Sequence, residues 1–399
     1  MHQVSSDNPA AFFVTEGPLT ADAPCYVERP ADTDFYESLR AGRYCYVLSP
    51  PQTGKSSLTL RTTARLRADG IAAAILTLSQ CQALTAEDWY RGLLEQIGSA
   101  FGFAEELQAF WPAHAFLGPL QRWLQALQTV VLARHTGAVV ILLDELETIS
   151  KAFDASELLA GLRECYNRRT SEPALRRLSF GLLGIAVPGD LLREARLTPL
   201  NIGRRIELTD FTLPETGTLM SGLAGTAAHA HKLLRRIHYW THGQPYLTQC
   251  LCQALVKSTP LPTVRLTPRE VDRLCANIFF RLAAGLPNKH FRAIHVELSR
   301  EPALQQELLT LYAQVRARQA LPKDKTESIA ILVQRVGLLR FTNGQPQVRN
   351  RIYERVFDCK WIRAQAAPFS NLPQQHVRWT IVLLFSFLLS LLWWIFSQR

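Results

Sequence analysis

Short apolar runs of strand length alternate with longer stretches of helical periodicity in the first half of the chain. The four runs cover residues 43–49, 71–78, 139–143 and 178–186. Between them, apolar side chains recur at helical spacing, most clearly across residues 86–135. Uninterrupted apolar strands are typical of strands buried on both faces, with helices as the cover. The pattern therefore predicts an α/β fold built on a parallel sheet with helices on both sides.

The second half of the chain has no further pattern of buried strands. Residues 213–285 show helical periodicity, and 286–361 show helices followed by two short apolar segments around Asn343-Gly344. That dipeptide favours a tight hairpin turn, and helices followed by a hairpin indicate a winged-helix-like unit. The predicted boundaries are a loosely ordered lead-in at 1–24, the α/β core at 25–212, a helical lid at 213–285, the winged-helix-like unit at 286–361 and a polar linker at 362–378.

The most apolar segment of the chain lies at residues 379–396, which include no charged side chain. A helix of this length is about 27 Å long, close to the thickness of a hydrocarbon core. Tryptophans at both ends suit the two membrane interfaces. We expect one C-terminal transmembrane helix here, a single-pass location in the inner (cell) membrane, and the basic remainder of the chain on the cytoplasmic side. The alternative is a buried core helix or a helix that binds a partner.

The chain is basic, with 44 Lys and Arg residues against 34 Asp and Glu residues and a formal net charge of +10. Such an excess favours an anionic partner, namely a nucleotide, a nucleic acid or anionic lipid. A solvated basic surface explains the same charge, so the charge alone does not choose among these partners.

Gly54, Lys55 and Ser56 follow a predicted strand and open a predicted helix, which is the context of a phosphate-binding loop. Backbone amides and the positive end of the helix would hold the phosphates. Lys55 would bridge the β- and γ-phosphates, and Ser56 would bind Mg²⁺. Ser49 occupies the position of the first glycine of the usual pattern, and the alternative is an ordinary strand–helix turn.

The apolar run at 139–143 ends in Asp144 and Glu145, 89 positions after Lys55. The carboxyl end of such a strand would reach the nucleotide. Asp144 would hold Mg²⁺ through water, and Glu145 would orient the attacking water as a general base. Glu147 adds a carboxylate that we expect at the surface. An apolar strand ending in two acids is common by itself, but together with the loop it predicts a P-loop NTPase core that uses ATP and Mg²⁺.

These motifs resemble the AAA-like domain family of bacterial signalling ATPases, close to the STAND class of AAA+ proteins. The resemblance covers roughly residues 12–361 and rests on five segments. They are residues 26–32, 45–58, 183–191, 201–208 and 243–247. It implies an α/β P-loop NTPase sheet with a helical lid and a winged-helix domain, to which the apolar segment at 379–396 would add the transmembrane helix.

The resemblance also implies roles for individual residues. Arg29 would lie near the adenine, and Pro245 would start a lid helix that faces the nucleotide. Ser57 belongs to the phosphate loop itself. Arg204 or Arg205 would contact the phosphates, in the same subunit or across subunits, or would form a basic strand edge. Val187 stands where a polar γ-phosphate sensor often lies in the family, and because it is apolar we do not expect a sensor there.

The resulting expectation is a membrane-anchored, nucleotide-dependent signalling or defence switch with slow ATPase activity. The resemblance implies assembly into a homo-oligomer on ATP. Family members often continue into further domains such as WD-repeat propellers. For this chain we expect a separate sensor or effector protein to take the role of such domains. One alternative is a scaffold that binds ATP without hydrolysis. The other is a membrane-tethered DNA-binding regulator that uses Arg335, Arg340, Arg349 and Arg351, although a nucleic acid is not the expected partner.

Overall fold

The computed structural model describes residues 12–81, 85–151, 155–185, 202–223, 225–258, 266–280, 288–300, 302–319, 321 and 326–370. Its centre is a five-stranded parallel sheet with strand order β2-β3-β4-β1-β5. The strands are β1 (Cys45–Leu48), β2 (Ala72–Thr77), β3 (Val139–Asp144), β4 (Leu178–Gly184) and β5 (Arg204–Arg205). The predicted α/β class with a parallel sheet is confirmed.

The two central strands are buried throughout. All six residues of β3 and all seven of β4 are buried, which explains their uninterrupted apolar sequence. Helices cover the sheet on both faces. They are α1 (Pro30–Arg40), α2 (Lys55–Ala68), α3 (Ala86–Phe101), α4 (Ala104–Ala113), α5 (Pro119–Ala126), α6 (Leu132–Arg134) and α7 (Ala155–Asn167). One apolar cluster contains Phe35, Leu58 and Val140, and a second contains Trp123, Ile141 and Phe180.

The remainder of the described chain is mainly helical. Its helices are α8 (Ala227–Thr241), α9 (Pro245–Lys257), α10 (Pro268–Cys275), α11 (Lys289–Leu298), α12 (Pro302–Arg316), α13 (Thr326–Ala330), α14 (Arg351–Val356) and α15 (Cys359–Ser370). An antiparallel hairpin joins β6 (Leu339–Thr342) to β7 (Gln345–Val348). Asn343 and Gly344 form its turn with φ angles of 50° and 74°, as the dipeptide predicts. We call the described residues 288–370 the hairpin unit.

Two segments are more ordered than their composition suggests. Phe13 lies in the expected lead-in but is 1% exposed, and its carbonyl accepts a hydrogen bond from Gln253 Nε2 at 2.7 Å. Residues 362–370 of the expected linker continue helix α15, in which Trp361 and Ile362 pack on the same apolar cluster as Phe13. Burial of these few apolar side chains orders segments that carry no strong local signal.

The prediction of a transmembrane helix requires a correction. Among the described residues, every helix is too short or too polar to span a bilayer. The last of them, α15, has 12 residues and contains Lys360 and Arg363. Residues 379–396, where the prediction placed the span, lie outside the described residues. The transmembrane part of the predicted fold class and the single-pass membrane localisation are therefore wrong for this structure.

Candidate functional site

The loop between β1 and α2, residues 49–54, is fixed by its own side chains. Gly54 caps α2 with φ of 94°, in the left-handed region that glycine adopts without strain. Ser49 Oγ lies 2.7 Å from Thr53 Oγ1, and Thr53 Oγ1 donates to the carbonyl of Pro50 at 2.9 Å. Ser49, which replaces the first glycine of the usual pattern, therefore helps to brace the loop. The sequence identified the substitution but did not indicate this use of the hydroxyl.

Lys55 is the first residue of α2 and turns its ammonium group back onto this loop. Its Nζ donates to the carbonyls of Ser49 at 2.7 Å and Pro50 at 2.9 Å. Burial lowers the pKa of Lys55 to about 8, although the charges of Glu147 and Asp144 act in the opposite direction. Burial disfavours the charged ammonium form of Lys55, and the negative charge of a neighbouring phosphate would stabilise that form.

The side chains of Ser56 and Asp144 bring together, beside Lys55, two oxygen atoms that could ligate a metal ion. Ser56 Oγ donates to Asp144 Oδ2 at 3.3 Å, and the Glu145 amide donates to Asp144 Oδ1 at 2.9 Å. Burial raises the pKa of Asp144, while the bond from the Glu145 amide and the charge of Lys55 lower it. A hydroxyl and a carboxylate at this separation fit Mg²⁺, which takes one or two protein oxygens and fills its other positions with water and phosphate.

Glu145 follows the end of β3 with an uncommon backbone conformation. Its φ is 65°, in the left-handed region that few non-glycine residues adopt. The carbonyl of Glu145 accepts hydrogen bonds from Thr148 Oγ1 at 2.8 Å and from the Thr148 amide at 2.9 Å. The backbone is thus held in place, and the half-buried side chain begins at the edge of the sheet where the loop lies.

Glu147 was expected at the surface, and the structure places it differently. Its Oε2 accepts a hydrogen bond from the Ile185 amide at 2.9 Å, at the end of β4, and its carbonyl accepts one from Arg300 Nη2 at 3.0 Å. Burial raises the pKa of Glu147, and the Ile185 amide and Lys55 partly offset this. Glu147 therefore joins the end of the sheet to the hairpin unit, a role that its position in the sequence does not reveal.

Arg29 is buried between the loop and the segment that follows β5. Its Nη1 donates to the carbonyls of Thr53 at 2.9 Å and Thr209 at 3.1 Å, and its guanidinium carbon lies 5.2 Å from the centre of the Phe211 ring. The Arg29 amide donates to Asp32 Oδ2 at 2.9 Å, which begins α1. Arg29 thus holds the loop from one side, as a residue of the predicted site.

A cavity of ≈ 340 Å³ opens beside the loop and collects most of the predicted nucleotide-binding residues. Predicted residues in its lining are Arg29, Gly54, Lys55, Ser56, Ser57 and Pro245. The remaining walls include Phe211, Gln249 and parts of residues 14–19, which the sequence did not single out. They also include Tyr26 and Tyr246, which belong to two of the segments that carry the resemblance but had no predicted role. Ser57 Oγ accepts from the Leu19 amide at 3.0 Å, so the loop helix also fixes this wall.

Pro245 begins α9 at the far side of this cavity. Gln244 caps the helix, since its Oε1 accepts from the Leu247 amide at 2.6 Å, and its Nε2 donates to the carbonyl of Gln52 in the loop at 3.1 Å. Gly243 has φ of 79°, and a Cβ there would lie 1.8 Å from the carbonyl oxygen of Phe211. Only glycine allows the backbone to come this close to the Phe211 carbonyl, and this contact positions the start of α9 against the cavity.

Arg204 and Arg205 form the short edge strand β5 and do not line the cavity. Arg204 pairs with Cys45 at the start of β1, at the opposite end of that strand from the loop. Its Nη2 donates to Asp34 Oδ1 at 3.0 Å. Both residues are exposed at a basic edge of the sheet, and a contact with the phosphates of another subunit stays a prediction. Val187, the position without an expected sensor, lies outside the described residues.

The hairpin unit reaches the loop at Pro50. A Cβ on Gly337, which has φ of 75°, would lie 2.6 Å from Pro50 Cβ. Beside this contact, Arg349 donates from Nε and Nη2 to the two carboxylate oxygens of Asp210 at 2.8 and 2.6 Å. Burial alone would lower the pKa of Arg349, but the charge and hydrogen bonds of Asp210 more than offset this and raise it. Arg349 is buried and Asp210 partly buried, with side chains 7% and 15% exposed, and the ion pair fixes the unit beside the loop.

Three of the four arginines considered for DNA binding already have protein partners. Arg349 pairs with Asp210, Arg335 Nε lies 3.3 Å from Glu297 Oε2, and Arg351 Nη1 donates to the carbonyl of Tyr239 at 3.2 Å. These contacts serve the packing of the hairpin unit, so the four do not form a free basic surface.

Residues 14–359 match the AAA-like domain family. An uncharacterised WD repeat-containing protein of Synechocystis is 31% identical over 363 residues, which cover 87% of this chain and 30% of that protein. The chain thus spans less than a third of the length of this relative.

Two solved structures share the fold. The Walker-type ATPase of Pyrococcus abyssi superimposes with a TM-score of 0.55 at 14% identity, over 86% of this chain and 99% of that one. The ORC2 protein of Aeropyrum pernix, solved as ADPNP–ADP complexes, gives a TM-score of 0.50 at 12% identity, over 90% of this chain and 99% of that one. At these identities the similarity is one of fold, and it agrees with the parallel sheet and loop described above. Because the family match covers most of its length, the chain belongs to the AAA-like domain family.

Proposed function

We propose that the chain is an ATP-dependent molecular switch of the STAND class. The observation that carries the proposal is that one loop, residues 49–54, borders the cavity and also contacts the hairpin unit. A ligand that rearranges the loop would therefore change how the hairpin unit packs on the loop. Conversely, the position of that unit would affect how well the loop binds phosphate.

The cavity supports an adenine nucleotide as the ligand. Lys55 and the first amides of α2 would face the phosphates, and Ser57 would keep the loop helix joined to residues 14–19. Tyr26, Phe211 and Pro245 provide apolar surface on which a base would rest. Adenine nucleotides are also what the ORC2 structure contains, which supports the same ligand class here.

Ser56 and Asp144 would hold Mg²⁺, and Glu145 would act on the attacking water. The metal, when bound, neutralises charge on the phosphates. Glu145 would orient the water and accept its proton, which suits a carboxylate at the carboxyl end of β3. Lys55 would stay protonated beside the phosphates because their negative charge opposes the effect of burial on its pKa.

The segment Thr209–Phe211 gives the proposal its physical link. The Thr209 carbonyl and the Phe211 ring both contact Arg29, which also holds the loop at Thr53. Asp210, between them, is paired with Arg349 of the hairpin unit. Three consecutive residues thus connect the cavity wall to the hairpin unit, so a shift of Arg29 on nucleotide binding would be transmitted to the ion pair.

Two further parts of the proposal follow the family resemblance. The switch would assemble into a homo-oligomer when ATP is bound, and a separate protein would act as its sensor or effector in signalling or defence. A measurement of molecular mass by light scattering, with and without ATP and Mg²⁺, tests the first part.

Titration of the full chain with ATP and Mg²⁺ by calorimetry tests the proposed site. Lys55→Ala should abolish measurable binding, whereas Lys232→Ala, which removes an exposed lysine of the same charge, should leave the affinity unchanged. Glu145→Gln should retain binding and lose turnover by about 100-fold, as expected for a missing general base. Undiminished binding by Lys55→Ala would refute the site, and equal near-zero turnover of wild type and Glu145→Gln would favour a non-hydrolysing scaffold.

A further inference from the structure

A second cavity, of ≈ 580 Å³, lies between α8, the end of α12, the β6–β7 hairpin and α14. Its lining shares no residue with that of the nucleotide cavity. The charged residues of the lining are four arginines and one glutamate, joined by one histidine. They are Arg316, Arg318, Arg340, Arg351, Glu354 and His242.

Several cationic or polar N–H groups in this lining are buried without a hydrogen-bond partner among the described residues. They are Arg340 Nε, Arg316 Nε and Asn350 Nδ2, and the ring nitrogen His242 Nδ1 is buried without a partner beside them. A buried donor without a partner costs stability, and a charged donor costs more than a neutral one. Arg316 is in part satisfied, since its Nη1 donates to the Glu354 carbonyl. The Arg340 guanidinium forms no hydrogen bond or ion pair within the described chain.

The charges in this cavity also repel one another. Burial lowers the pKa of Arg340, the charges of Arg349 and Arg351 lower it further, and only Asp210 opposes them. Burial, together with Arg340 and Arg351, lowers the pKa of His242 to about 4. His242 is therefore neutral at physiological pH, and the arginines carry the positive charge of the cavity. An anion bound here would relieve the repulsion and satisfy the buried donors at once.

We propose that this cavity binds a small phosphorylated molecule through Arg340, Arg318 and Arg316. Guanidinium groups match phosphate oxygens in geometry and charge. The described lining contains no phenylalanine, tyrosine or tryptophan, the rings that offer a nucleobase its broadest stacking surface, and the ligand is recognised by its phosphate. Concentration of the charge in one concave site distinguishes it from the extended basic surface that follows a nucleic-acid backbone. The proposal goes beyond the proposed nucleotide switch and does not depend on it.

Inorganic pyrophosphate serves as the probe, measured by calorimetry on the full chain carrying Lys55→Ala, so that the phosphate loop does not contribute. One pyrophosphate should still bind. Adding Arg340→Gln should weaken it at least about tenfold, the loss expected for a charge-assisted contact. Arg269→Gln, which removes an exposed arginine of α10, should leave the affinity unchanged. Since the Arg340 side chain forms no hydrogen bond within the described chain, the Arg340→Gln protein should melt at or above the temperature of its parent.

Three outcomes would overturn the proposal. They are absence of pyrophosphate binding to the Lys55→Ala protein, an equal loss of affinity in the Arg340→Gln and Arg269→Gln variants, and binding of duplex DNA that depends on Arg340 while pyrophosphate does not bind. The last result would assign the arginines to a nucleic acid. Failure of ATP binding by the wild type would refute the nucleotide switch and leave this test intact.

Discussion

Two surfaces meet at the phosphate loop and use their polar groups in different ways. On the cavity side, the Lys55 ammonium rests on two loop carbonyls, and Ser56 and Asp144 share a single bond of 3.3 Å. On the hairpin side, Asp210 and Arg349 satisfy each other through two bonds of 2.6 and 2.8 Å. In the first arrangement, charged groups remain available to bind a ligand. In the second, the two charged groups already neutralise each other.

This difference separates recognition from docking. Burial disfavours the charged form of groups that recognise a ligand as long as the ligand is absent, and the lowered pKa of Lys55 is an example. Groups that dock one unit on another stabilise the form that is present. Variants on the hairpin side should therefore affect stability strongly, while variants on the cavity side should affect mainly binding.

The largest effect is expected at Gly337, where the hairpin unit touches Pro50. Gly337→Ala should destabilise the protein by about 3–4 kcal/mol, because the left-handed backbone costs about 1–2 kcal/mol and overpacking about 1–3. Gly344→Ala is the matched control: it has a similar φ of 74°, but a Cβ there meets nothing within 4 Å. It should lose only the backbone term, as measured by urea unfolding. Equal losses would mean that the contact with Pro50 adds nothing.

The ion pair on the hairpin side should come next. Arg349→Met should cost about 3 kcal/mol, since it leaves the partly buried Asp210 carboxylate without its partner. Arg91→Met removes an exposed pair with Asp88, whose side chains are 52% and 42% exposed, and should cost about 0.5 kcal/mol. Adding Asp210→Asn to Arg349→Met should recover part of the loss in urea unfolding. No recovery would argue against a coupled pair.

A smaller, pH-dependent effect is expected in the core of the hairpin unit. His290 is 1% exposed, its Nε2 lies 2.5 Å from the Tyr353 hydroxyl, and burial lowers its pKa to about 3. Between this value and about 6.5, the unfolded chain binds a proton that the folded chain does not, so stability falls as the pH falls below about 6.5. The loss should reach about 2 kcal/mol near pH 5.

His290→Gln should remove that part of the pH dependence, as judged by thermal unfolding between about pH 7 and pH 5. His231→Gln, at an exposed histidine on α8, should leave it in place. The half-buried histidines His238 and His242 act in the same direction and are present in both proteins, so the difference isolates His290. Parallel curves for wild type and His290→Gln would contradict this assignment.

The sequence predicted the parts of the molecule whose signals are local. Strand β3 reads as five apolar residues before Asp144, and Gly54-Lys55-Ser56 lies between a strand and a helix, so both could be placed without knowledge of the fold. Asn343-Gly344 specified its turn in the same way. Each of these depends on neighbours within a few positions, and propensity and burial pattern suffice to find them.

The walls of the cavity could not be predicted in this way. Thr15, which lines the cavity, donates a hydrogen bond to Gln253, 238 positions away, and the lining residues Ser57 and Leu19 are 38 positions apart. The docking of Asp210 on Arg349 is likewise a property of the folded chain. The membrane prediction relied on the apolar length, the absence of charge and the flanking tryptophans of 379–396, and no described helix bears it out.

Hydrogen–deuterium exchange of the full chain tests the proposed switch most directly. On addition of ATP and Mg²⁺, amide exchange in residues 337–349 and 209–211 should change in the wild type and stay unchanged in Lys55→Ala, because the loop links the nucleotide to the hairpin unit. If ATP binds, as calorimetry would show, and exchange in both segments is the same with and without it, the hairpin unit does not respond to the nucleotide and the switch is contradicted.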